Sequence, residues 1–215
     1  MTRGDQHQNH HVRLSPHFHL RVPLMIVLIL LAYALLAAQP IAAARKITVT
    51  FSSFPLPSSS DAHAITRGPD GALWFTENGS NQIGRITTSG AITEYRVGSS
   101  TAYFDLYDIT AGPDGALWFT ELAKSAIGRI TTSGVITTYT YPVTNGEPDA
   151  MTPGPDGALW FVDVYNPKIG RLTTSGLFTV FTLPNGALDL TTGPDNALWV
   201  TGYTDNRIVR AMPSG

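Results

Sequence analysis

Apolar and polar residues alternate over short stretches from about residue 60 onward, and the stretches recur along the chain. In the first unit this pattern predicts four strands, near residues 64–66, 72–77, 83–87 and 92–95. Pro69-Asp70-Gly71 separates the first two strands as a turn, because Pro presets φ and Gly accepts a positive φ. Thr88-Ser89-Gly90 turns the chain into the fourth strand. Four short antiparallel strands per unit are typical of a propeller blade.

The same unit returns three more times. The segment Gly68-Pro-Asp-Gly-Ala-Leu-Trp74 recurs from Gly112, Gly154 and, with Asn196 for its second Gly, Gly193. An Ile-x-Arg signature follows fifteen residues after each start, at Ile83, Ile127, Ile169 and Ile208. The starts are 44, 42 and 39 residues apart, so rigid units are joined by adjustable loops. We therefore predict an all-β chain, a β-propeller of four-stranded antiparallel blades with four repeats. The repeats lie near 61–97, 105–141, 147–183 and 186–215.

Both ends of the repeat region bear on how the ring closes. Residues 47–54 resemble the fourth strand of a blade, whereas the fourth repeat reaches Ser214-Gly215, where its own fourth strand would begin. We expect the 47–54 strand to complete the last blade and remove an exposed sheet edge. Two alternatives stay open. Two copies could form a homodimer that shares one larger ring, or the chain could derive from a larger propeller.

The N-terminus has the features of a secretory signal. Arg3, Arg13 and Arg21 precede an apolar stretch over residues 24–38, which leads into Ala42-Ala43-Ala44. This order predicts a signal peptide over residues 1–44, cleaved after Ala44, and a secreted or extracytoplasmic propeller domain over residues 45–215. Retention of the leader as an N-terminal membrane anchor is the alternative.

Composition removes several classes of function. The formal net charge is −2, and no basic run occurs outside the N-terminus, so nucleic acid is not an expected partner. The chain has no cysteine, which excludes disulfides and thiolate metal sites. A small-molecule substrate is compatible with this composition.

Strand direction predicts which polar residues meet. Asp61 and His63 come just before the first strand, and Glu77 ends the second, so all three should lie on one face of the ring. The matching positions in later repeats pair Tyr107 with Glu121 and Asp149 with Asp163. We therefore expect a central opening rimmed by His63, Glu77, Glu121, Asp149 and Asp163. Oxygen-rich sites of this kind suit Mg²⁺ or Ca²⁺ better than zinc.

Two further residue types recur once per repeat. The tryptophans at 74, 118, 160 and 199 are interpreted as packing between blades. The arginines at 85, 129, 171 and 210 are expected to pair with carboxylates or carbonyls between blades. The aspartates at 70, 114, 156 and 195 lie in turns, where Asp accepts hydrogen bonds from its own backbone.

The chain resembles the virginiamycin B lyase (streptogramin B lyase) family over residues 46–215. The resemblance is carried by the repeats and by His63-Ala-Ile-Thr66 followed by Leu73-Trp-Phe-Thr-Glu77. It implies that His63 moves a proton beside a Mg²⁺ ion, and that Asp61 and Glu77 help to hold the metal. It also implies a carbon–oxygen lyase that confers antibiotic resistance, opening a cyclic depsipeptide by elimination at its ester without adding water.

The resemblance departs at one catalytic position. Family members have more blades and use a second histidine from a neighbouring blade, whereas the neighbouring positions here hold Tyr107 and Leu188. Tyr107 is the candidate for that second role, although a phenol has an ordinary pKa of about 10.

Two other functions remain open. One is a non-catalytic extracellular binding propeller. The other is a lactonase-like hydrolase whose metal would be held by Glu121, Asp149 and Asp163.

Overall fold

The computed structural model describes residues 47–57, 59–99, 103–203 and 206–213. The chain divides into two compact units, Met1–Ser52 and Ser53–Gly215. The signal peptide predicted for residues 1–44 lies outside the described residues, as do Ser214 and Gly215. The described part of the chain contains no helix long and apolar enough to cross a membrane.

Four antiparallel sheets follow one another along the chain and are numbered here as blades one to four. Blade one contains β1 (Ala62–Arg67), β2 (Leu73–Glu77), β3 (Gln82–Ile86) and β4 (Ile92–Arg96). Blade two contains β5 (Leu106–Ala111), β6 (Leu117–Glu121), β7 (Ala126–Ile130) and β8 (Ile136–Thr140), with a short 3-10 helix over Leu122–Lys124. Blade three contains β9 (Pro148–Pro153), β10 (Leu159–Asp163), β11 (Lys168–Leu172) and β12 (Phe178–Thr182). Blade four contains β13 (Ala187–Thr192), β14 (Leu198–Gly202) and β15 (Ile208–Ala211).

These sheets confirm the all-β fold class and the strands predicted from the repeat. Each strand pairs only with its neighbours in sequence, as the short turns require. Gly115 adopts a φ of 75° in the Pro-Asp-Gly turn, and Asn196 adopts 56° at the same place in the last repeat. Asn tolerates this left-handed conformation better than most residues, so the turn survives the exchange.

A three-residue clip ties the turn to the middle of each blade. In blade two, Asp114 accepts the Trp118 Nε1–H at 3.0 Å through Oδ1 and the Arg129 Nε–H at 2.6 Å through Oδ2. The same bonds occur in blades one, three and four. The prediction that the arginines bridge blades was therefore wrong in one respect: each pairs with the turn carboxylate of its own blade. Arg129 on β7 pairs with Trp118 on β6, and its guanidinium reaches from there to Asp114 in the turn that precedes β6.

The core lies between blades. Trp74 and Ile83 of blade one pack in one buried cluster with Ile109, Leu117 and Ile130 of blade two. This confirms the packing role assigned to the tryptophans.

The fourth strand adds an aromatic ring to each interface. The Tyr95 ring stacks on Trp74 with centroids 5.5 Å apart. Its other neighbour is Gly134 in the β7–β8 hairpin, where an added Cβ would lie 2.3 Å from the Tyr95 ring. Tyr139 repeats both contacts one blade later, stacking on Trp118 and approaching Gly176.

The expected completion of blade four is not observed. Its sheet contains three strands, and the described residues 47–57 form none. Phe54 lies instead against Gly90 of blade one, where an added Cβ would be 2.2 Å from its ring. Phe54 thus contacts the blade that follows it in sequence, as Tyr95 of blade one contacts Gly134 of blade two.

Candidate functional site

The innermost strand of every blade carries a bulge. The pairing register shifts between Ala62 and Ile65 in β1 and between Leu106 and Ile109 in β5, and β9 and β13 shift at the same place. A bulge interrupts the alternation of faces, so two consecutive residues can line one surface. The Thr120 Oγ1 accepts the Asp108 N–H at 2.9 Å, and Thr76 does the same for Ala64 in blade one. These threonines hold the bulges in place.

The second and third residues of the four inner strands form one cleft of about 420 Å³. His63 and Tyr107 stand side by side on its wall, with ring centroids 4.0 Å apart and planes tilted by 44°. Asp149 lies on the same wall in blade three, and Leu188 in blade four. Three of the sequence-predicted residues, His63, Tyr107 and Asp149, are therefore brought together here.

Two carboxylates of the cleft were not predicted from the sequence. Asp108 and Asp189 occupy the third position of β5 and β13 and line the same space as Asp149. In a regular strand, successive side chains point to opposite faces, so residues that follow Tyr107 and Leu188 would point away from the cleft. The bulges in β5 and β13 place them on the cleft side. The available signal was the Asp that directly follows Tyr107 in the second repeat and Leu188 in the fourth.

Asp108 also joins two blades. Its Oδ1 accepts the Ile109 N–H at 2.8 Å in its own strand, and its Oδ2 accepts the Met151 N–H at 2.7 Å in blade three. Burial raises the pKa of Asp108, and these two backbone donors offset part of that effect. The carboxylate is thus a structural link as well as a wall of the cleft.

The crowding of carboxylates shifts the titration of Asp149. Burial, followed by the negative charges of Asp108 and Asp189, raises the pKa of Asp149 to about 6. A group that titrates near neutral pH can give or take a proton during a reaction. Asp108, Asp149 and Asp189 together make the cleft acidic, and an acidic cleft favours ligand groups that carry positive charge or donate hydrogen bonds.

The residues expected to hold a metal lie beside β1 but outside the lining of the cleft. Asp61 is exposed, has a φ of 48°, and its carbonyl accepts the Asn78 N–H at 3.0 Å. Glu77 is fully buried, and its Oε2 accepts the Ser80 Oγ–H at 2.8 Å. Its Oε1 is buried and finds no hydrogen-bond partner among the described residues. Asp61 and Glu77 are neighbours along the backbone, as predicted, because Ala62 pairs with Glu77 and Asp61 accepts the Asn78 N–H.

Glu121 and Asp163 occupy the same strand-end position in blades two and three and are fully buried there. The Glu121 Oε1 accepts the Thr138 Oγ1–H at 3.0 Å, whereas its Oε2 is buried without a partner in the described structure. The Asp163 Oδ1 accepts backbone N–H groups of the β10–β11 loop, including that of Asn166 at 2.9 Å. Glu121 thus links the end of β6 to β8, Asp163 braces the β10–β11 loop, and neither carboxylate lines the cleft.

The spacing of the His, Asp and Glu side chains limits how they could hold a metal ion. Among the described residues, no three His, Asp or Glu side chains converge closely enough to hold a metal ion on their own. Asp61 and Glu77 offer two carboxylates, and the unpaired Oε1 of Glu77 is a free acceptor of the kind that Mg²⁺ uses. Mg²⁺ commonly binds proteins through one or two carboxylates and keeps several waters. The residue types at Asp61 and Glu77 are therefore those that a hydrated Mg²⁺ ion uses, and the described residues contain no site built entirely of protein ligands.

Comparison with known proteins gives the fold a family. The virginiamycin B lyase family model matches residues 41–215. A catalytically inactive histidine-to-alanine variant of virginiamycin B lyase from Staphylococcus aureus, solved with quinupristin, is 41% identical, with a TM-score of 0.66. That match covers 74% of this chain and 58% of that chain. A streptogramin B lyase structure is 35% identical over 77% of this chain and 59% of that one, with a TM-score of 0.68.

A more distant structure shares the fold alone. A putative gluconolactonase is 15% identical, with a TM-score of 0.55, over 73% of this chain and 64% of that one. The chain spans less than three fifths of the length of the two lyase structures. The match over the whole repeat region, together with the propeller blades and the histidine on the wall of the cleft, supports one assignment. The chain belongs to the virginiamycin B lyase family.

Proposed function

We propose that this chain is a Mg²⁺-dependent carbon–oxygen lyase that opens cyclic ester substrates of the depsipeptide class in the cleft beside His63. The observation that carries the proposal is the placement of His63 on the cleft wall, one strand from Glu77 with its unpaired oxygen. In the Staphylococcus aureus relative, replacement of a histidine by alanine accompanies loss of catalysis. We assign the corresponding role in this chain to His63.

The reaction would be an elimination. His63 removes a proton from the carbon next to the one that carries the ester oxygen, a carbon–carbon double bond forms, and the carbon–oxygen bond breaks. The electron pair of that bond leaves with the carboxylate, so the opened product has the same mass as the ring. General base catalysis of this kind contributes about 10²–10⁴-fold.

A Mg²⁺ ion held by Asp61 and Glu77 would supply positive charge where negative charge develops on a substrate carbonyl oxygen. The chain's own contribution is orientation and proton transfer. The Tyr107 ring, 4.0 Å from the His63 ring, restricts how the imidazole can turn. We assign to Tyr107 the part that the family resemblance gives to a second histidine, because its hydroxyl can donate a hydrogen bond to a substrate carbonyl.

A binding propeller without catalysis is the second candidate function. It is favoured by the absence, among the described residues, of three side chains that could hold a metal unaided. The cleft would then bind a cationic or hydrogen-bond-donating ligand through Asp108, Asp149 and Asp189. This function requires neither Mg²⁺ nor His63.

The test is to incubate the full chain with quinupristin, with and without Mg²⁺, and to follow substrate and product by liquid chromatography with mass detection. The proposal predicts a product of unchanged mass and altered retention that requires Mg²⁺. His63→Ala should abolish it. Glu77→Gln should raise the Mg²⁺ concentration needed for half-maximal rate, whereas the matched variant Glu121→Gln should not.

Other outcomes would decide against the lyase. A product heavier by one water would indicate hydrolysis, as in the lactonase-like alternative. If a folded sample gives no product with Mg²⁺ present, the lyase proposal is wrong and the binding function takes its place. A rate unaffected by His63→Ala would remove His63 from the proposed chemistry.

A further inference from the structure

One buried hydroxyl joins the two inner strands that carry His63 and Tyr107. Thr76 lies on β2, and its side chain is fully buried. Its Oγ1 accepts the Ala64 N–H at 3.0 Å and donates its own hydrogen to the Tyr107 carbonyl oxygen at 2.9 Å. Ala64 directly follows His63 in β1, whereas Tyr107 belongs to β5 of the next blade. The hydroxyl is therefore bound on both sides to the backbone of the cleft wall.

These two bonds bear on the spacing of the His63 and Tyr107 rings. The ring centroids are 4.0 Å apart, but the two residues stand on strands of different blades. The spacing of the rings therefore depends on how closely β1 and β5 approach each other. A hydroxyl has one hydrogen to donate, and Thr76 donates it across the boundary between the blades. Because an unpaired polar group is costly in a buried place, the two bonds hold both strands to the same oxygen atom.

Blade three shows that the fold of a blade does not require this hydroxyl. The equivalent position there holds Val162, which pairs with Ile169 as Thr76 pairs with Ile83. Val162 is fully buried, and the inner strand β9 still carries its bulge. A blade is therefore compatible with a methyl group in place of the hydroxyl. What the hydroxyl of Thr76 adds is the bond across to blade two.

We propose, on the basis of the proposed lyase function, that Thr76 is a positioning residue for the pair formed by His63 and Tyr107. Through its two hydrogen bonds it keeps the imidazole that removes the proton at a fixed distance from the phenol that holds the substrate carbonyl. Thr76 is fully buried and does not line the cleft, so it acts only through these neighbours. A displacement of about 1 Å at a reacting group can cost about 10²-fold in rate.

The first test removes the hydroxyl and keeps the shape of the side chain, by Thr76→Val in the full chain. We expect kcat for quinupristin in the presence of Mg²⁺ to fall about 10–100-fold with KM little changed, because proton transfer depends more steeply on placement than binding does. Thr76→Ser keeps the hydroxyl and should retain most of the rate. Thr76→Ala, a second variant without the hydroxyl, should show the same loss as Thr76→Val.

Thr192→Val is the matched control. The Thr192 Oγ1 donates to the Pro153 carbonyl oxygen at 2.8 Å, so it also links neighbouring inner strands, β13 and β9, but neither residue lines the cleft. Both valine variants should unfold at a lower urea concentration than the natural chain, since each loses one hydrogen bond between blades. Only Thr76→Val should lose activity. An equal loss of kcat in the two variants would show that Thr76 acts through general stability alone, against the proposal.

A measurement without substrate separates this proposal from the lyase function. The contact between the His63 and Tyr107 rings should give a nuclear Overhauser effect between their ring protons, with the His63 signals identified by their loss in His63→Ala. Thr76→Val should weaken this effect severalfold, whereas Thr76→Ser and Thr192→Val should preserve it. An unchanged effect in Thr76→Val would overturn the proposal. If the natural chain does not convert quinupristin but Thr76→Val loses the effect, the lyase function is wrong and the positioning of the two rings by Thr76 still holds.

Discussion

The middle strands of each blade pair an aromatic residue with a glycine, and this pairing can be tested by exchange. Phe119 on β6 is fully buried and pairs with Gly128 on β7, where an added Cβ would lie 2.1 Å from the Phe119 ring. Blades one and three repeat the arrangement. Blade four does not, because Val200 there pairs with Val209. In the fourth repeat, Val200 thus replaces the aromatic residue, and Val209 on the facing strand replaces the glycine.

We predict that Phe119→Val and Gly128→Val are each strongly destabilising and that the double variant recovers most of the loss. Gly128→Val forces the Phe119 ring out of its place and costs about 2 kcal/mol, as overpacking of a core does. Phe119→Val leaves a void beside Gly128 and costs about 2 kcal/mol. The double variant recreates the Val–Val pair of blade four, so its cost should be about 1.5 kcal/mol instead of about 4, a coupling of about 2.5 kcal/mol.

The measurement is urea unfolding of the four proteins, followed by tryptophan fluorescence and analysed as a double-mutant cycle. Equal slopes against urea are required for the free energies of unfolding to be compared. The reasoning is refuted if the double variant is as unstable as the sum of the single variants, since the ring and the glycine would then not share one space.

Three further predictions concern carboxylates. Burial would raise the pKa of Asp114, but its Trp and Arg donors lower it, so the stability that it contributes is present above the ordinary aspartate pKa and is lost as the pH falls through the lowered one. Asp114→Asn should therefore cost about 1–2 kcal/mol in unfolding free energy at pH 7 and progressively less in acid, below the ordinary pKa of aspartate. Burial raises the pKa of Glu121 to about 7, so the folded state keeps its proton longer than the unfolded state and stability falls between pH 5 and 8. Glu121→Gln should remove about 1–3 kcal/mol of that decline in unfolding free energy measured across this pH range. Asp108→Asn should cost about 1–3 kcal/mol in urea unfolding, because the Met151 N–H loses its acceptor, and Asp189→Asn should cost less, because Asp189 accepts only the N–H of the next residue in the described structure. Equal losses at both positions would show that the bond between blades adds nothing.

The sequence was sufficient to predict the blades because the repeat carries its own turns. Pro69-Asp70-Gly71 and Ser89-Gly90 mark where strands must end, and the observed strands begin and end within about two residues of the predicted bounds. Strand direction alone also predicted that Asp61 and Glu77 lie at the same end of β1 and β2, where Ala62 pairs with Glu77 and the Asn78 N–H binds the Asp61 carbonyl.

What the sequence could not supply was the orientation of single side chains. The bulge in β5 brings Asp108 into the cleft, and alternation by itself does not reveal a bulge. Glu121 and Asp163 are at the predicted strand ends, but both are fully buried there, with Thr138 of β8 donating to Glu121 and loop N–H groups donating to Asp163. The contact of Phe54 with Gly90 of blade one lies outside the pattern of a single repeat, so the repeat did not predict it.

Each blade combines constant structural residues with one variable position, and this has a consequence for how such proteins diversify. The clip formed by Asp, Trp and Arg is constant in all four repeats, whereas the second residue of the inner strand is His63, Tyr107, Asp149 and Leu188 in turn. None of these four side chains belongs to the buried core. Exchange at this position can therefore change the ligand of the cleft at little cost in stability. New binding or catalytic side chains can thus arise by single substitutions at this position, while the rest of the blade stays unchanged.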